Sequence, residues 1–329
     1  MAVVITYGIN ESGFARVLPD ENGQARIHME GICSVEGRID LRSHDTLHFL
    51  AFGPGIKQPS LDLPVKPSLI INQISDVDSH KTAAERCLTL CEAIPDVPVI
   101  NHPLAVLNNG REKVSMLLKD IPGVIMPKTV RCAPKSPQQV WDIIEAENMK
   151  LPVIQRDTGQ HNGVTMIRID GPADLEKLHV YCFDGREFYL TEFFDYADKD
   201  GIYHTQRIVF VGGEPLLRQI FYDDQWKVNS RSKEFMLSRP DLGDPLERAN
   251  RIKSERLPKA EAALKEVAAR IGLDFFGMDC HINEDGEILV FEANATMMIL
   301  WNEASAIFNS LMVPIEQKLN ALIRKRLGE

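Results

Sequence analysis

The chain has 329 residues, with 47 acidic and 37 basic side chains and a formal net charge of −10. This length exceeds what a single hydrophobic core usually organises, so we expect two or three compact units. The acidic balance disfavours a broad nucleic-acid surface, although a local basic pocket for a nucleotide stays open. No apolar run reaches the ~20 residues of a membrane span, and the N-terminal run lacks a basic segment, so we expect a cytoplasmic protein.

The first third of the chain alternates strands with a helix. Apolar runs predict strands at Ala2–Tyr7, Thr46–Phe52, Ser68–Ile74 and Val97–Ile100. Between the last two, Lys81–Ala93 carries apolar residues at helical spacing, which predicts a helix with Cys87 and Cys91 as reduced core residues. Strand, helix and strand in this order indicate a parallel α/β unit.

The rest of the chain mixes helices with antiparallel strands. Pro103 is a normal helix start, so we expect one helix from there to about Lys119. Further predicted helices are Pro137–Asn148, Leu257–Ile271 and Pro314–Leu327, and predicted strands are Leu151–Gln155, Gly163–Ile169, Arg186–Phe194, Thr205–Val211, Pro215–Tyr222, Phe275–Ile282 and Glu287–Glu292. The turn Asn283-Glu284-Asp285-Gly286 predicts a hairpin between the last two strands.

Three oxygen-bearing side chains converge on this last hairpin. Asp279 lies in its first strand, and Glu292 and Asn294 end the second, where residues two apart share a face. If the strands pair about the turn, Asp279 is their antiparallel neighbour. Such donors suit Mg²⁺, with Mn²⁺ as an alternative, because hard cations prefer oxygen ligands and share them with phosphates. The alternative interpretation is a half-buried hairpin whose acids lie at a solvated edge.

The order of aspartate, hairpin and Glu-x-Asn resembles the metal-binding signature that closes the ATP-grasp fold. The resemblance covers roughly residues 100–300 and is nearest to the glutathione-synthetase and ribosomal-protein-S6-modifying (RimK-like) branch of ligases. It implies an α/β and α+β architecture in which two lobes clasp ATP behind an N-terminal α/β domain. We therefore predict an N-terminal domain at 1–103, a central small lobe at 104–190 and a C-terminal lobe with the metal site at 191–329.

The same resemblance implies positions that bind the nucleotide. Lys113 would reach its phosphates, and Arg156 stands where the family usually carries a second lysine, a change that keeps the charge but alters its shape. Glycines let backbone N–H groups approach phosphate oxygens. The loop between the neighbouring strands would therefore cover the phosphates through Gly159, His161 and Gly163.

A hinge and a set of polar residues complete the implied site. Glu192, Phe193 and Phe194 would frame the adenine, and Asp195, Asp198 or Asp200 would hold the ribose, with Asp198 as our candidate. Arg207, Lys227 and Asn229 would act at the transferred phosphate, the last two from one strand face, and Arg231 would bind a substrate carboxylate. Without the resemblance, each of these residues is also compatible with an ordinary surface or loop position.

These parts imply an ATP-dependent carboxylate–amine ligase. ATP would phosphorylate a carboxylate, and an amine would attack the acyl phosphate to form an amide or peptide bond on amino-acid or peptide substrates. No P-loop motif and no G-x-S-x-G motif is present. A small-molecule kinase and a non-catalytic nucleotide-binding module remain alternatives. We expect small-molecule partners rather than nucleic acid or membrane, and a homodimer is compatible with the sequence.

Overall fold

The N-terminal third is a parallel α/β unit. A computed structural model describes residues 1–13, 16–19, 25–28, 31, 33, 35, 38–58, 63–160, 163, 165–300 and 303–329. The elements of this unit are β1 (Ala2–Gly8), β2 (Arg16–Pro19), β3 (Ala25–His28), β4 (Asp45–Ala51), β5 (Leu69–Asn72), α1 (Lys81–Ala93), β6 (Val99–Ile100) and α2 (Pro103–Leu107). The sheet has the order β4-β1-β5-β6 with every pair parallel, and β2 and β3 form a separate antiparallel pair.

The helix α1 has the predicted bounds and packs its apolar face on this sheet. Ala84, Cys87 and Cys91 are buried against sheet residues such as Val4 and Ile70. Both cysteines are free thiols in the core, as predicted.

The central unit is a small antiparallel sheet with one helix. Its elements are β8 (Thr129–Cys132), α4 (Pro137–Ala146), β9 (Val153–Asp157), β10 (Ile167–Ile169) and β11 (Phe188–Glu192). The strands lie in the order β10-β9-β11-β8, and Val140 and Ile144 of α4 pack on the sheet. Strands β9 and β10 pair with each other, so the sheet fixes where the chain leaves at Asp157 and returns at Ile167.

The C-terminal unit is built on a larger sheet. Its elements are α3 (Arg111–Leu118), β7 (Val124–Ile125), β12 (Tyr203–Val211), β13 (Glu214–Asp223), α5 (Ser232–Ser238), α6 (Pro245–Arg251), α7 (Leu257–Ile271), β14 (Phe275–Ile282), β15 (Ile288–Asn294) and α8 (Asn309–Leu327). The strand order is β13-β12-β14-β15-β7. The segment α3–β7 joins this sheet before the chain enters the central unit, because β7 pairs parallel with β15. None of the helices among the described residues is long and apolar enough to span a membrane.

The predicted helix from Pro103 to Lys119 is interrupted. Helix α2 ends at Leu107, and α3 begins at Arg111 after Gly110, whose φ of −64° and ψ of 149° are extended. The intervening Asn108-Asn109-Gly110 has poor helix propensity, which explains the break. The restart places Arg111 at the first position of a new helix.

The N-terminal and C-terminal units share a hydrophobic core. Val3 and Ile5 of β1 pack in one cluster with Phe275 of β14 and with Ile315 and Leu319 of α8. The C-terminal helix therefore packs against both units and joins them through one core.

Candidate nucleotide-binding and catalytic site

The C-terminal hairpin places two carboxylates side by side in a cleft of about 520 Å³. Strands β14 and β15 pair with Asp279 opposite Glu292, because a register shift between Asp279 and Cys280 moves Asp279 away from Phe291, its partner in an unshifted hairpin. Asn294 donates its amide to Glu292 Oε1 at 2.6 Å, and its Oδ1 accepts the N–H of Met297 at 2.9 Å. Asn294 thus supports Glu292 while Asp279 and Glu292 line the cleft.

Each carboxylate is paired with an arginine from another element. Arg207 of β12 donates Nε and Nη2 to the two oxygens of Asp279, both at 2.8 Å. Arg111 forms an ion pair with Glu292 through Nη2. Burial would lower the pKa of Arg207, but the adjacent carboxylate of Asp279 outweighs burial and raises it. Both arginines therefore stay charged at the base of the cleft.

This donor set fits a hard divalent cation. Within the described ranges, no three His, Cys, Asp or Glu side chains group together as metal ligands. Asp279 and Glu292 supply two neighbouring carboxylates here. A carboxylate offers about four acceptor positions, and the arginines use only some of them. Mg²⁺ commonly binds one or two carboxylates together with substrate phosphates. Asp279 and Glu292 are therefore suited to it, with Asn294 adjacent.

The central sheet supplies the opposite wall through Arg156. This side chain is 8% exposed, lines the cleft, and donates Nη2 to the carbonyl of Gln160. Burial, followed by repulsion from Arg111, lowers the pKa of Arg156 to about 10. The arginine that replaces the expected lysine is thus a buried cation beside a second cation, an arrangement that favours an anionic ligand.

The loop after β9 is held by a carboxylate of the N-terminal unit. Gly159 has φ +69°, which glycine adopts without strain, and it donates its N–H to Asp78 Oδ2 at 3.2 Å. Gly163 lines the cleft. His161, predicted for the same loop, lies outside the described residues. Of the predicted loop positions, Gly163 is the one that the structure places at the cleft.

The predicted hinge forms the apolar end of the cleft. Glu192, Phe193 and Phe194 all line it, and the ring centroid of Phe193 lies 5.5 Å from that of Trp226. Tyr196 also lines this end, with its ring centroid 4.7 Å from that of Phe291. Aromatic and apolar walls of this kind suit a purine ring.

Backbone hydrogen bonds tie the hinge to the central unit. The N–H groups of Glu192 and Phe193 already donate to the carbonyls of Lys128 and Pro152, at 3.0 and 2.8 Å. They are engaged in holding the hinge to the central unit. Hydrogen bonding of an adenine edge to these two N–H groups would require those bonds to break.

Asp198 does not reach the cleft. Its Oδ2 lies 2.9 Å from His204 Nδ1 and 3.8 Å from Arg256 Nη2. Neighbouring residues on a strand point to opposite faces, and Thr205 rather than His204 lines the cleft. Asp198 therefore lies with His204 behind the sheet, a correction to its assignment as the ribose acid.

Lys113 also lies outside the cleft, and Arg111 takes the place predicted for it. Lys113 Nζ donates to the carbonyl of Leu107 at 2.8 Å from an exposed position. Two residues along a helix are about 200° apart, so Lys113 and Arg111 point in opposite directions. Sequence reasoning missed Arg111, although this residue stands only two positions before Lys113.

The segment after β13 brings three predicted residues to the cleft. Lys227, Asn229 and Arg231 line it from an irregular segment rather than from the expected strand. Lys227 Nζ donates to the carbonyl of Met166 at 2.9 Å, a bond that crosses between the two lobes. Burial lowers the pKa of Lys227. Asn229 Oδ1 accepts the backbone N–H of Arg231 at 2.9 Å and so shapes this segment.

Positive charge is concentrated at this cleft although the chain as a whole is acidic. Among the described residues, the cationic side chains that line it are Arg111, Arg156, Arg207, Lys227 and Arg231, and the acidic ones are Glu192, Asp279 and Glu292. The cleft thus combines an aromatic end, an excess of cations and a pair of carboxylates. Aromatic surface, phosphate-binding charge and metal ligands are the requirements of a nucleoside triphosphate with its cation.

Comparison with known proteins identifies the fold. No protein-family model and no curated protein matches the sequence. The D-Ala:D-Ser ligase VanG from Enterococcus faecalis is 12% identical with a TM-score of 0.60, and the alignment covers 99% of both chains. A RimK domain ATP-grasp protein from Sphaerobacter thermophilus is 14% identical over 99% of this chain and 100% of its own, with a TM-score of 0.52.

A third structure, the ATP-grasp ligase PsnB complexed with a minimal precursor, Mg and ADP, is 15% identical. It covers 99% of this chain and 98% of its own, with a TM-score of 0.52. At these identities the likeness concerns the fold, and the predicted architecture is confirmed: the chain has the mixed α/β ATP-grasp fold along its length.

Proposed function

We propose that the protein is an ATP-dependent ligase that joins a carboxylate to an amine through an acyl phosphate and releases ADP. The observation that carries this proposal is the pairing of Asp279 with Glu292 in a cleft that holds an excess of cations in an acidic chain. Carboxylates alone would repel a triphosphate. With a divalent cation and the surrounding arginines, the same site attracts it.

The cleft residues divide into three roles in this proposal. Asp279 and Glu292 would hold Mg²⁺, which would supply positive charge to offset that of the phosphate oxygens. Arg111 and Arg156 would bind phosphate oxygens from opposite walls. The aromatic end near Phe193 would take the adenine, which sets the triphosphate along the cleft towards the carboxylates.

The reaction needs no nucleophilic side chain. The substrate carboxylate oxygen would attack the γ-phosphorus, and the bond from that phosphorus to the bridging oxygen of ADP would break. The amine would then add to the acyl carbon, and inorganic phosphate would leave as the nitrogen loses a proton. Arg207 and Lys227 would stabilise the negative charge on the transferred group, and Arg231 would bind a substrate carboxylate through its planar fork.

For substrates we propose amino acids or peptides. VanG is named for D-alanine and D-serine, and PsnB was solved with a precursor. Arg231 lines the cleft from an exposed position, where it could meet a terminal carboxylate. We further propose a cytoplasmic setting, since free cysteines are typical of a reducing compartment.

The test is ADP release from ATP and Mg²⁺ with amino acids and short peptides, offered singly and in pairs. The proposal expects release that requires both a carboxylate and an amine, and that falls at least about a hundredfold in Glu292→Gln. Glu145→Gln, an exposed acid of α4, is the matched control and should keep full activity. Release with a single acceptor and a stable phosphorylated product would instead identify a kinase. ATP binding without turnover would identify a binding module.

A further inference from the structure

A second cavity of about 450 Å³ lies behind the C-terminal sheet. His204 lines it, whereas the next residue, Thr205, lines the nucleotide cleft. Successive strand residues point to opposite faces, so β12 separates the two spaces. The second cavity is comparable in volume to the cleft and is not explained by the proposed reaction.

One face of a continuous helical stretch provides most of the lining. Helix α6 runs into a π-helical turn (Ile252–Arg256) and then into α7. The lining residues on this stretch are Arg248, Arg251, Ile252, Glu255, Arg256 and Lys259, each three or four positions from another. π-Helical turns inside helices often occur at functional sites, because they change which side chains share a face.

Arg248 is held in place by neutral partners. Its guanidinium carbon lies 4.8 Å from the centroid of the Tyr222 ring, and its Nη1 donates to the Leu242 carbonyl at 2.6 Å. Its Nη2 lies 2.6 Å from His204 Nε2. Asp198 Oδ2 lies 2.9 Å from His204 Nδ1, at the ring nitrogen that does not face Arg248. Within the described part of the chain, this cation is thus positioned without a direct carboxylate partner.

Two more arginines complete the charge distribution. Arg256 donates Nη1 to the Ile282 carbonyl at 2.9 Å, which fixes its direction, and its Nη2 lies 3.8 Å from Asp198 Oδ2. The guanidinium of Arg251 has no hydrogen-bond or ion-pair partner among the described residues. With Lys259, the residues that the structure describes place four cations around the cavity against two acids, Glu255 and Glu284. Arg248 and Arg256 are held by hydrogen bonds, and the guanidinium of Arg251 beside them has no such partner among the described residues. These three cations together suit an anion with several acceptor oxygens.

We propose that this second cavity binds a phosphate group, either as inorganic phosphate or as the monoester end of a small metabolite. Arg248, Arg251 and Arg256 would contact its oxygens, and the remaining volume would hold the rest of a metabolite. The proposal goes beyond the proposed ligase activity and does not depend on it, because β12 separates this cavity from the cleft.

The test is calorimetric titration of the intact protein with inorganic phosphate, and separately with glycerol 2-phosphate, at constant ionic strength set with chloride. Saturable binding is expected, and Arg251→Gln should weaken it about tenfold by removing one charge-assisted contact. Because the Arg251 guanidinium has no structural partner among the described residues, this change should leave the unfolding temperature near that of the wild type.

Two control variants test whether binding depends on this cavity. Lys253→Gln makes the same charge change two residues away, at an exposed position that does not line the cavity, and should leave binding unchanged. Arg231→Gln removes a cation from the nucleotide cleft and should also leave it unchanged. A stronger affinity for the ester would identify a metabolite, and equal affinities would identify free phosphate. Absent saturable binding, equal binding by Arg251→Gln and wild type, or an equal loss in either control would overturn the proposal.

Discussion

Replacing Asp78 with asparagine removes the charge that joins the N-terminal unit to Gly159 in the loop after β9. The Asp78 side chain is 7% exposed, and its Oδ1 accepts Arg131 Nη1 at 2.9 Å. The same oxygen accepts the Tyr189 hydroxyl at 2.8 Å, and Oδ2 accepts the Gly159 N–H at 3.2 Å. An asparagine of the same shape would keep one acceptor oxygen and present an NH₂ group to the remaining donors.

The expected cost follows from these contacts. Breaking a buried ion pair by removing one partner costs roughly 3–5 kcal/mol, but Arg131 keeps Glu187 as a second partner, so we take the lower end. The change in unfolding free energy should therefore be about 3 kcal/mol, which corresponds to a fall of roughly 6–12 °C in unfolding temperature for a cooperative unit of about 150–250 residues. Because Gly159 also loses its anchor, the KM for ATP should rise more than kcat falls.

Scanning calorimetry and ATP-dependent ADP release measure the two effects on the same protein. Asp96→Asn is the matched control, since this acid of the N-terminal unit is 87% exposed and its nearest cation, Lys66, is 3.9 Å away. That variant should behave as the wild type. An Asp78→Asn protein that unfolds within about 1 °C of the wild type and keeps its KM for ATP would refute the reasoning.

The other predictions concern the cleft and the effect of pH. Arg111→Ala should weaken ATP binding at least about tenfold in calorimetric titration, whereas Lys113→Ala should change it less than about twofold, because Arg111 lines the cleft and Lys113 does not. The opposite order would restore Lys113 as the phosphate ligand. Asp279→Asn should raise the Mg²⁺ concentration for half-maximal ADP release about tenfold or more, and an unchanged Mg²⁺ dependence would exclude Asp279 as a ligand. Burial lowers the pKa of His281 from 6.5. As pH falls through about 6.5 the unfolded chain therefore takes up the proton before the folded chain does, and stability declines. Urea unfolding between pH 7 and pH 5 should show this decline, and His281→Gln should reduce its slope; equal slopes would contradict the assignment.

Local patterns predicted the elements that carry the site. Apolar periodicity and a turn predict α7 and β14 with their observed bounds. The hairpin is also local: once a tight turn joins two strands, their pairing near the turn follows from chain geometry, as it does from Ile282 to Cys280. The hairpin that carries both acids could therefore be predicted from local sequence, whereas the direct opposition of Asp279 and Glu292 depends on a register shift that the turn does not specify.

Contacts between distant segments were not predictable in the same way. Helix α3 begins at Arg111, directly after Gly110, and the orientation of the helix from this start decides which of its residues face the cleft. Residues two apart on a helix point in opposite directions, so Arg111 rather than Lys113 enters the cleft. Likewise, Asp198 lies in an acidic stretch from which sequence alone could not tell which acid faces the cleft. Its pairing with His204 depends on how that stretch folds against β12.

The sequence by itself determined that a hairpin carries Asp279 and Glu292, and it determined the succession of helices and strands. It also determined that the chain is acidic overall. Tertiary structure alone decided which cations meet those acids, that Lys227 bridges to Met166, and that Asp78 holds the loop at Gly159. The physical reason is range: periodicity and turns act within a few residues, whereas Arg111, for example, also donates to the Phe291 carbonyl, 180 positions away. Such contacts exist only after separate units have packed into one core.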